Sequence, residues 1–134
     1  MSELTKIDRI LNCYRDVAVV GLSENPARVS NNATGVVMAH GYRITPVNPR
    51  YQKVFGLTCY PNLLAVPHPI DIVNLFQRSE NVPPFVEQAI AIGAKVIWMQ
   101  LGIVNEAAAR RASDAGLEVI MDRCMKVELL RMKR

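Results

Sequence analysis

Leu4, Ile7, Ile10 and Leu11 recur at the three- and four-residue spacing of one helical face and predict a short amphipathic helix at the start of the chain. The pattern then changes. Residues 17–20, Val-Ala-Val-Val, form an unbroken run of β-formers that ends on Gly21, as a strand buried on both faces would. Val29, Ala33, Val36 and Val37 return to the helical period and mark the predicted inner face of a second helix. Gly41 is placed to cap its end, and Ser30 or Asn31 to cap its start. Gly35 within that helix costs about 1 kcal/mol relative to alanine and predicts close packing on a sheet.

The same alternation continues. Residues 42–47 read as a strand whose Pro46 belongs near an end or at an unpaired edge. Between 48 and 69, Pro49, Gly56, Pro61, Pro67 and Pro69 break the chain into pieces with no clear period. Residues 70–76 read as a strand. Pro83 and Pro84 open a helix carrying Val86, Ala89 and Ile90, which Gly93 closes. Residues 95–99 are a further strand, Asn105 caps a helix over 106–115 that stops at Gly116, and 117–121 form the last strand. Val127, Leu129 and Leu130 predict a closing helix. Strands alternating with helices, with no internal repeat, predict a single α/β domain over 1–134. Its expected fold is Rossmann-like: a doubly wound, mainly parallel sheet with right-handed crossovers and helices on both faces.

Composition narrows the class. The chain has 134 residues, half of them apolar, enough for a core. No apolar run is long enough to span a membrane, and the first residues lack the layout of a secretion signal. Cys13, Cys59 and Cys124 are odd in number and widely spaced, which predicts reduced thiols and a cytoplasmic protein. His40 and His68 have no partner at metal-ligand spacing, so no metal site is expected. The net charge is +4. Residues 123–134 carry Arg123, Lys126, Arg131, Lys133 and Arg134 against Glu128. That basic end lacks interleaved aromatics, so it reads as a solvated helix end, with no nucleic-acid partner expected.

Ligands of such a sheet bind outside the carboxyl ends of its strands. Here those ends are 21–25, Asn48-Pro49-Arg50, Gln77-Arg78-Ser79, Gln100-Leu101-Gly102 and Asp122-Arg123-Cys124. The first is a strand–turn–helix junction of the kind that offers backbone N–H groups and a helix N-terminus to phosphate. It departs from the G-x-G-x-x-G dinucleotide fingerprint, with Ser23 and Pro26 where glycines would stand. Between Asn25 and Ile70 there is no Asp or Glu, whereas Arg28, Arg43, Arg50 and Lys53 lie in that span. An NAD site wants a carboxylate after strand two. Arg50 stands there instead, and its planar fork suits an extra phosphate on the adenosine ribose. Coenzyme A and NADP both carry one.

Several stretches also resemble a known family: residues 19–30 (VVGLSENPARVS), 41–49 (GYRITPVNP), 76–80 (FQRSE) and 98–103 (WMQLGI). Together, and in this order, they are similar to the small stand-alone bacterial and archaeal CoA-binding proteins. Those in turn resemble the N-terminal CoA-binding domain of the succinyl-CoA synthetase α subunit. The likeness extends over about 17–126. It implies a Rossmann-like fold that binds coenzyme A or an acyl-CoA through its nucleotide portion. The implied contacts are Gly21, Ser23, Asn25, Pro26, Arg28 and Ser30 around the phosphates, Asn48, Pro49 and Arg50 on the adenosine side, and Arg78, Ser79, Gln100, Leu101 and Gly102 on the further walls. The departures are a first turn poorer in glycine, and no counterpart of the synthetase's phosphohistidine or second domain. Acyl-CoA synthesis by this chain alone is therefore not expected, and no catalytic residue is assigned.

Two other classes stay open. One is an NADP-binding protein using the same arginines. The other is an acyl-CoA enzyme with Cys124 as nucleophile, its thiol flanked by Arg123 and Lys126 but with no histidine close in sequence. Asp71 and Asp122, at strand boundaries, read as turn or capping residues, His68 as a surface loop residue and Trp98 as core. An apolar, alanine-rich helix leaves pairing with a second copy, or with a partner enzyme, as further expectations.

Overall fold

A strand with no polar side chain has to be covered on both faces, and that places residues 17–20 at the centre of the molecule. The computed structural model describes residues 2–132. Its elements are α1 (Glu3–Cys13), β1 (Asp16–Val20), α2 (Val29–Ala39), β2 (Arg43–Val47), β3 (Lys53–Val54), β4 (Leu57–Thr58), β5 (Ile72–Leu75), α3 (Val82–Ala91), β6 (Val96–Met99), α4 (Glu106–Asp114), β7 (Glu118–Ile120) and α5 (Met125–Met132). Five strands form a parallel sheet in the order β2-β1-β5-β6-β7. β3 and β4 form a separate antiparallel hairpin.

Alternation along each strand divides the core in two. Val17 and Val19 join Ile7, Leu11, Val37, Trp98, Met125 and Leu129 on one face, under α1, α2 and α5. Ala18 and Val20 join Val73, Leu75, Val86, Ala89, Met99 and Ala112 on the other, under α3 and α4. The doubly wound α/β fold expected from the sequence is therefore present, with all five strands of the main sheet parallel. Trp98 is buried, its Nε1–H donating to Arg123 O at 2.8 Å.

The edges are managed. β2 is an edge strand of the main sheet, with β1 as its strand partner and a bridge from Val47 to Tyr60 on its outer side, so Pro46 sits on an edge strand as expected. Its carbonyl faces outward and accepts from Tyr60 N at 3.0 Å. The other edge, β7, is blunted by Lys6 Nζ on Val119 O at 2.8 Å and by the Arg9–Glu118 ion pair. The hairpin at 53–58 has no signal in the period, because each of its strands is two residues long.

Three expectations for α2 are corrected. Its N-cap position is Arg28, without a side-chain cap, and Ser30 and Asn31 are already in the first turn. Its buried face is Ser30, Asn31, Ala33, Thr34 and Val37, whereas Val29 is 73% exposed. Gly35 does not touch the sheet: a methyl group there would meet only Phe55 Cζ of the hairpin, at 3.9 Å.

Other caps hold. Asn105 Oδ1 accepts from Ala108 N at 2.9 Å, and Pro83 and Pro84 stand in the first turn of α3. Asp122, with φ +58°, turns the chain after β7 as expected, and its Oδ1 also accepts from Gly102 N in the loop after β6 at 2.7 Å. The basic C-terminal segment is knitted into the fold. Arg123 and Arg131 pair with Glu128, Arg131 also with Asp8, and Lys126 Nζ meets Asn32 Oδ1 at 2.8 Å. Lys133 and Arg134 lie outside the described residues. Cys13, Cys59 and Cys124 are free thiols. Among the described residues, no helix is long and apolar enough to cross a membrane, and no group of three His, Cys, Asp or Glu is placed to hold a metal ion.

Candidate functional site

After β1 the chain runs outward to β2, then returns across β1 to build β5 on its other side. The carboxyl ends of β1 and β5 thus open onto a crevice at the point where the winding reverses. Gly21 makes the two ends meet. It has φ +87°, its N–H donates to Val47 O at 2.8 Å, and Phe76 N–H donates to Val20 O at 2.9 Å. A Cβ at this position would lie 2.3 Å from Phe76 O. Only glycine supplies both the left-handed backbone and the missing side chain.

The turn that follows is held by its own polar side chains. Ser23 N donates to Ser30 Oγ (3.0 Å) and Asn31 Nδ2 to Ser23 O (2.8 Å). Asn25 N donates to Ser23 Oγ (3.0 Å) and Ala27 N to Asn25 Oδ1 (2.9 Å). This explains why Ser30 and Asn31 are turned inward from the first turn of α2: they fix the loop rather than cap the helix. No side chain caps the start of α2, so its leading amides and the positive end of its dipole face the crevice.

On the β2 side, Asn48 Nδ2 donates to Leu22 O at 3.2 Å, and Asn48 Oδ1 accepts from Arg50 N at 3.0 Å. Behind it, the Cys59 thiol donates to Asn48 O at 3.4 Å, and burial pushes that thiol's pKa up. The resulting cleft has a volume of about 960 Å³ and is open to solvent. It gathers Gly21, Ser23, Arg28 and Ser30 from the first turn, Asn48, Pro49 and Arg50 from the second, and Arg78 from the third. Among the described residues that line it, none is acidic.

The remaining candidates fall elsewhere. Asn25 and Pro26 belong to the exposed rim of the first turn. Ser79 is tied to the loop after β6, its Oγ accepting from Val104 N (3.0 Å) and its carbonyl from Asn105 Nδ2 (2.9 Å). Gln100 is 3% exposed, with Nε2 on Asn74 Oδ1 at 2.7 Å; Leu101 is 69% exposed, and Gly102 turns beside it with φ +84°.

Val29, Tyr51, Phe76 and Asn81 also line the cleft, and the sequence pattern does not point to them. Tyr51 and Asn81 each lie three residues beyond a strand-end residue, Asn48 and Arg78, a spacing that marks one turn of chain and little else. Arg43 is removed from any phosphate role. It begins β2, at the amino end of the sheet, and grips Asp16 through two hydrogen bonds of 2.7 Å that hold the Asp16 carboxyl below its ordinary pKa. His40 Nδ1 sits on Val36 O (2.8 Å) and His68 Nδ1 on Pro69 O (3.3 Å). Both precede strands, so both lie at the end of the sheet away from Cys124, which follows β7.

Comparison with known proteins gives a consistent picture. Residues 15–129 match a family described as a CoA binding domain. Uncharacterized protein YneT of Bacillus subtilis strain 168 is 41% identical over 122 residues, covering 91% of this chain and 90% of that protein. A hypothetical protein from Pyrococcus horikoshii OT3 matches in structure with a TM-score of 0.94 at 40% identity, over 98% of this chain and 92% of that one. ADP-forming acetate–CoA ligase I of Archaeoglobus fulgidus is 31% identical over 72 residues, which is 54% of this chain and 10% of the ligase. The matched segment is therefore about a tenth of such a ligase.

Proposed function

The chain belongs to the CoA-binding domain family, and from that premise we propose that it binds coenzyme A or an acyl-CoA by the nucleotide portion, in the cleft over β2, β1 and β5, without acting on it alone. The observation that carries this reading is the charge of the cleft: Arg28, Arg50 and Arg78 converge on it and, among the described residues, no carboxylate lines it. Coenzyme A brings a pyrophosphate and a ribose 3′-phosphate, and anions of that kind are stabilised by guanidinium forks and by an uncapped helix start. The pyrophosphate lies at residues 21–30, where leading amides of α2 face the cleft. Arg50, after β2, meets the 3′-phosphate on the adenosine side. Chemistry on the thioester belongs to a partner enzyme, in keeping with the small share of the ligase that this chain matches.

The test is calorimetric titration of wild type and Arg50→Ala with coenzyme A and with dephospho-CoA, which lacks the 3′-phosphate. A charge-assisted hydrogen bond contributes roughly 1.5–3 kcal/mol. Loss of Arg50 is therefore expected to weaken coenzyme A about tenfold to a hundredfold and to leave dephospho-CoA nearly unchanged. Equal losses for both ligands would take Arg50 out of this role. A wild type that prefers NADP to coenzyme A would overturn the assignment itself.

A further inference from the structure

At the other end of the sheet from the cleft, where β1 and β2 begin, parts of α1, α2 and α5 come together around a second cavity of about 290 Å³. Asn12, Arg15, His40 and Tyr42 line it together with Leu129 and Met132. Leu129 is buried and Met132 packs on the same core, so these two make an apolar wall. Among the described residues that line the cavity, none is acidic. The nearest carboxylate in the chain, Asp16, is spent on Arg43.

The ends of α1 and α2 meet here, and helix ends leave carbonyls that favour cations. That demand is met from within. At α1, Arg15 Nη1 donates to Leu11 O (2.6 Å), Tyr14 O (3.0 Å) and Asn12 O (3.4 Å), Tyr42 Oη donates to Leu11 O, and Tyr14 N to Ile10 O. At α2, His40 N donates to Val37 O, Gly41 N to Met38 O, and His40 Nδ1 meets Val36 O at 2.8 Å. A carbonyl only accepts, so Nδ1 carries the proton and Nε2 is the ring nitrogen left over. The capacity that remains is mostly for donation. Arg15 spends one nitrogen, and among the described residues its Nε and Nη2 have no hydrogen-bond partner. Its Cζ lies 4.9 Å from the centroid of the Tyr42 ring, a contact that holds the guanidinium in place. The exposed Asn12 brings an amide, and a protonated His40 brings a further N–H.

A guanidinium with unspent N–H groups, beside an imidazole and an apolar wall, is complementary to a carboxylate that bears a short apolar group. We propose that this cavity is a second ligand site, separate from the cleft, and that it takes a small monocarboxylate. The carboxylate sits on Arg15 and His40, and the apolar group lies against Leu129 and Met132. At about 30 Å³ for each water-sized group, the cavity holds roughly ten of them, the size of a short-chain acid. Inorganic phosphate would leave the apolar wall uncovered. The site stands apart from the nucleotide reading, since the two lie at opposite ends of the sheet and share no residue.

The probe is hexanoate, with hexanamide as its uncharged counterpart, titrated into ¹⁵N-labelled protein and followed by backbone amide shifts. In wild type, hexanoate should give saturable shifts at residues 12–15 and 40–42 and leave 21–30 unmoved. It should bind at least about tenfold tighter than hexanamide, the least that one charge-assisted hydrogen bond supplies. Arg15→Met should erase that preference. Because Arg15 also closes α1, a second variant covers the case in which Arg15→Met does not fold. Asn12→Asp places a carboxylate at the exposed rim, and should weaken hexanoate about fivefold while hexanamide binds as before. Absence of saturable shifts, or shifts confined to the cleft, overturns the proposal. So do equal affinities for hexanoate and hexanamide, an affinity for inorganic phosphate equal to that for hexanoate, or hexanoate binding that Asn12→Asp leaves unchanged.

Discussion

Replacing Gly21 by alanine tests the junction on which the cleft is built. Two costs are separable. The backbone at φ +87° places an L-residue in the left-handed region, at roughly 1–2 kcal/mol. The new Cβ would also stand 2.3 Å from Phe76 O and 2.9 Å from Gln77 Nε2, so the ends of β1 and β5 must part. Parting them lengthens the Gly21 N–Val47 O or Phe76 N–Val20 O hydrogen bond (2.8 and 2.9 Å) and forfeits about another 1–2 kcal/mol. The sum is about 2–4 kcal/mol. With an unfolding entropy of about 2.1 cal/mol/K per residue, a chain of 134 residues should lose roughly 7–14 °C in Tm. Gly41→Ala is the control. Gly41 has φ +91° but no atom within 4 Å of the place a methyl group would take, so only the backbone cost applies and the loss should be about 4–7 °C. The assay is thermal unfolding followed by circular dichroism, with coenzyme A titration of each variant below its transition. Equal drops for Gly21→Ala and Gly41→Ala would refute the argument from close approach.

Asn105 both caps α4 and holds Ser79 O through Nδ2, so Asn105→Ala should cost about 1–2 kcal/mol in urea unfolding. Asn105→Asp, which keeps the cap oxygen, should recover part of that loss, and no recovery would discount the cap. The Asp16 carboxyl is held below its ordinary pKa by the hydrogen bonds from Arg43. Its stabilising contribution is therefore present above the unfolded value, about 4, and lost as pH falls through the lower folded value. The stability difference between wild type and Arg43→Met should be small at neutral pH and shrink in acid, with coenzyme A affinity unchanged throughout, since Arg43 lies at the far end of the sheet. Purified protein should show no multiple-turnover thioester hydrolysis, and steady turnover abolished by Cys124→Ser would establish an enzyme.

Much of the site was legible one feature at a time. The acid-free stretch between Asn25 and Ile70 pointed to a basic cleft, and the β1–Gly21 junction pointed to its place. Which arginines line it was legible only in part. Arg50 follows a strand and Arg43 begins one, so the strand's direction alone places them at opposite ends of the sheet. Tyr51 and Asn81 were not legible, because a loop's path decides which of its residues face inward. The misassigned face of α2 has a similar origin. Val29 and Val36 fit the helical period, but Val29 overhangs the cleft, while Ser30 and Asn31 are drawn inward to hold Ser23.

What the sequence determined by itself is the alternation of elements and their caps. Those signals are local: a run such as Val17–Val20 has to be covered on both faces wherever it lies, and Gly41, Gly93, Gly116 and Asn105 close or open helices within one turn of themselves. The tertiary structure decided the strand order β2-β1-β5-β6-β7, and with it the reversal at β1 that brings residues 21, 50 and 78 to one cleft. It also decided the hairpin at 53–58 and the pairing of Asn74 with Gln100 across 26 residues. Such contacts join segments far apart in the chain. Their free energy depends on which surfaces meet, and neither the period nor the propensity of either segment contains that information.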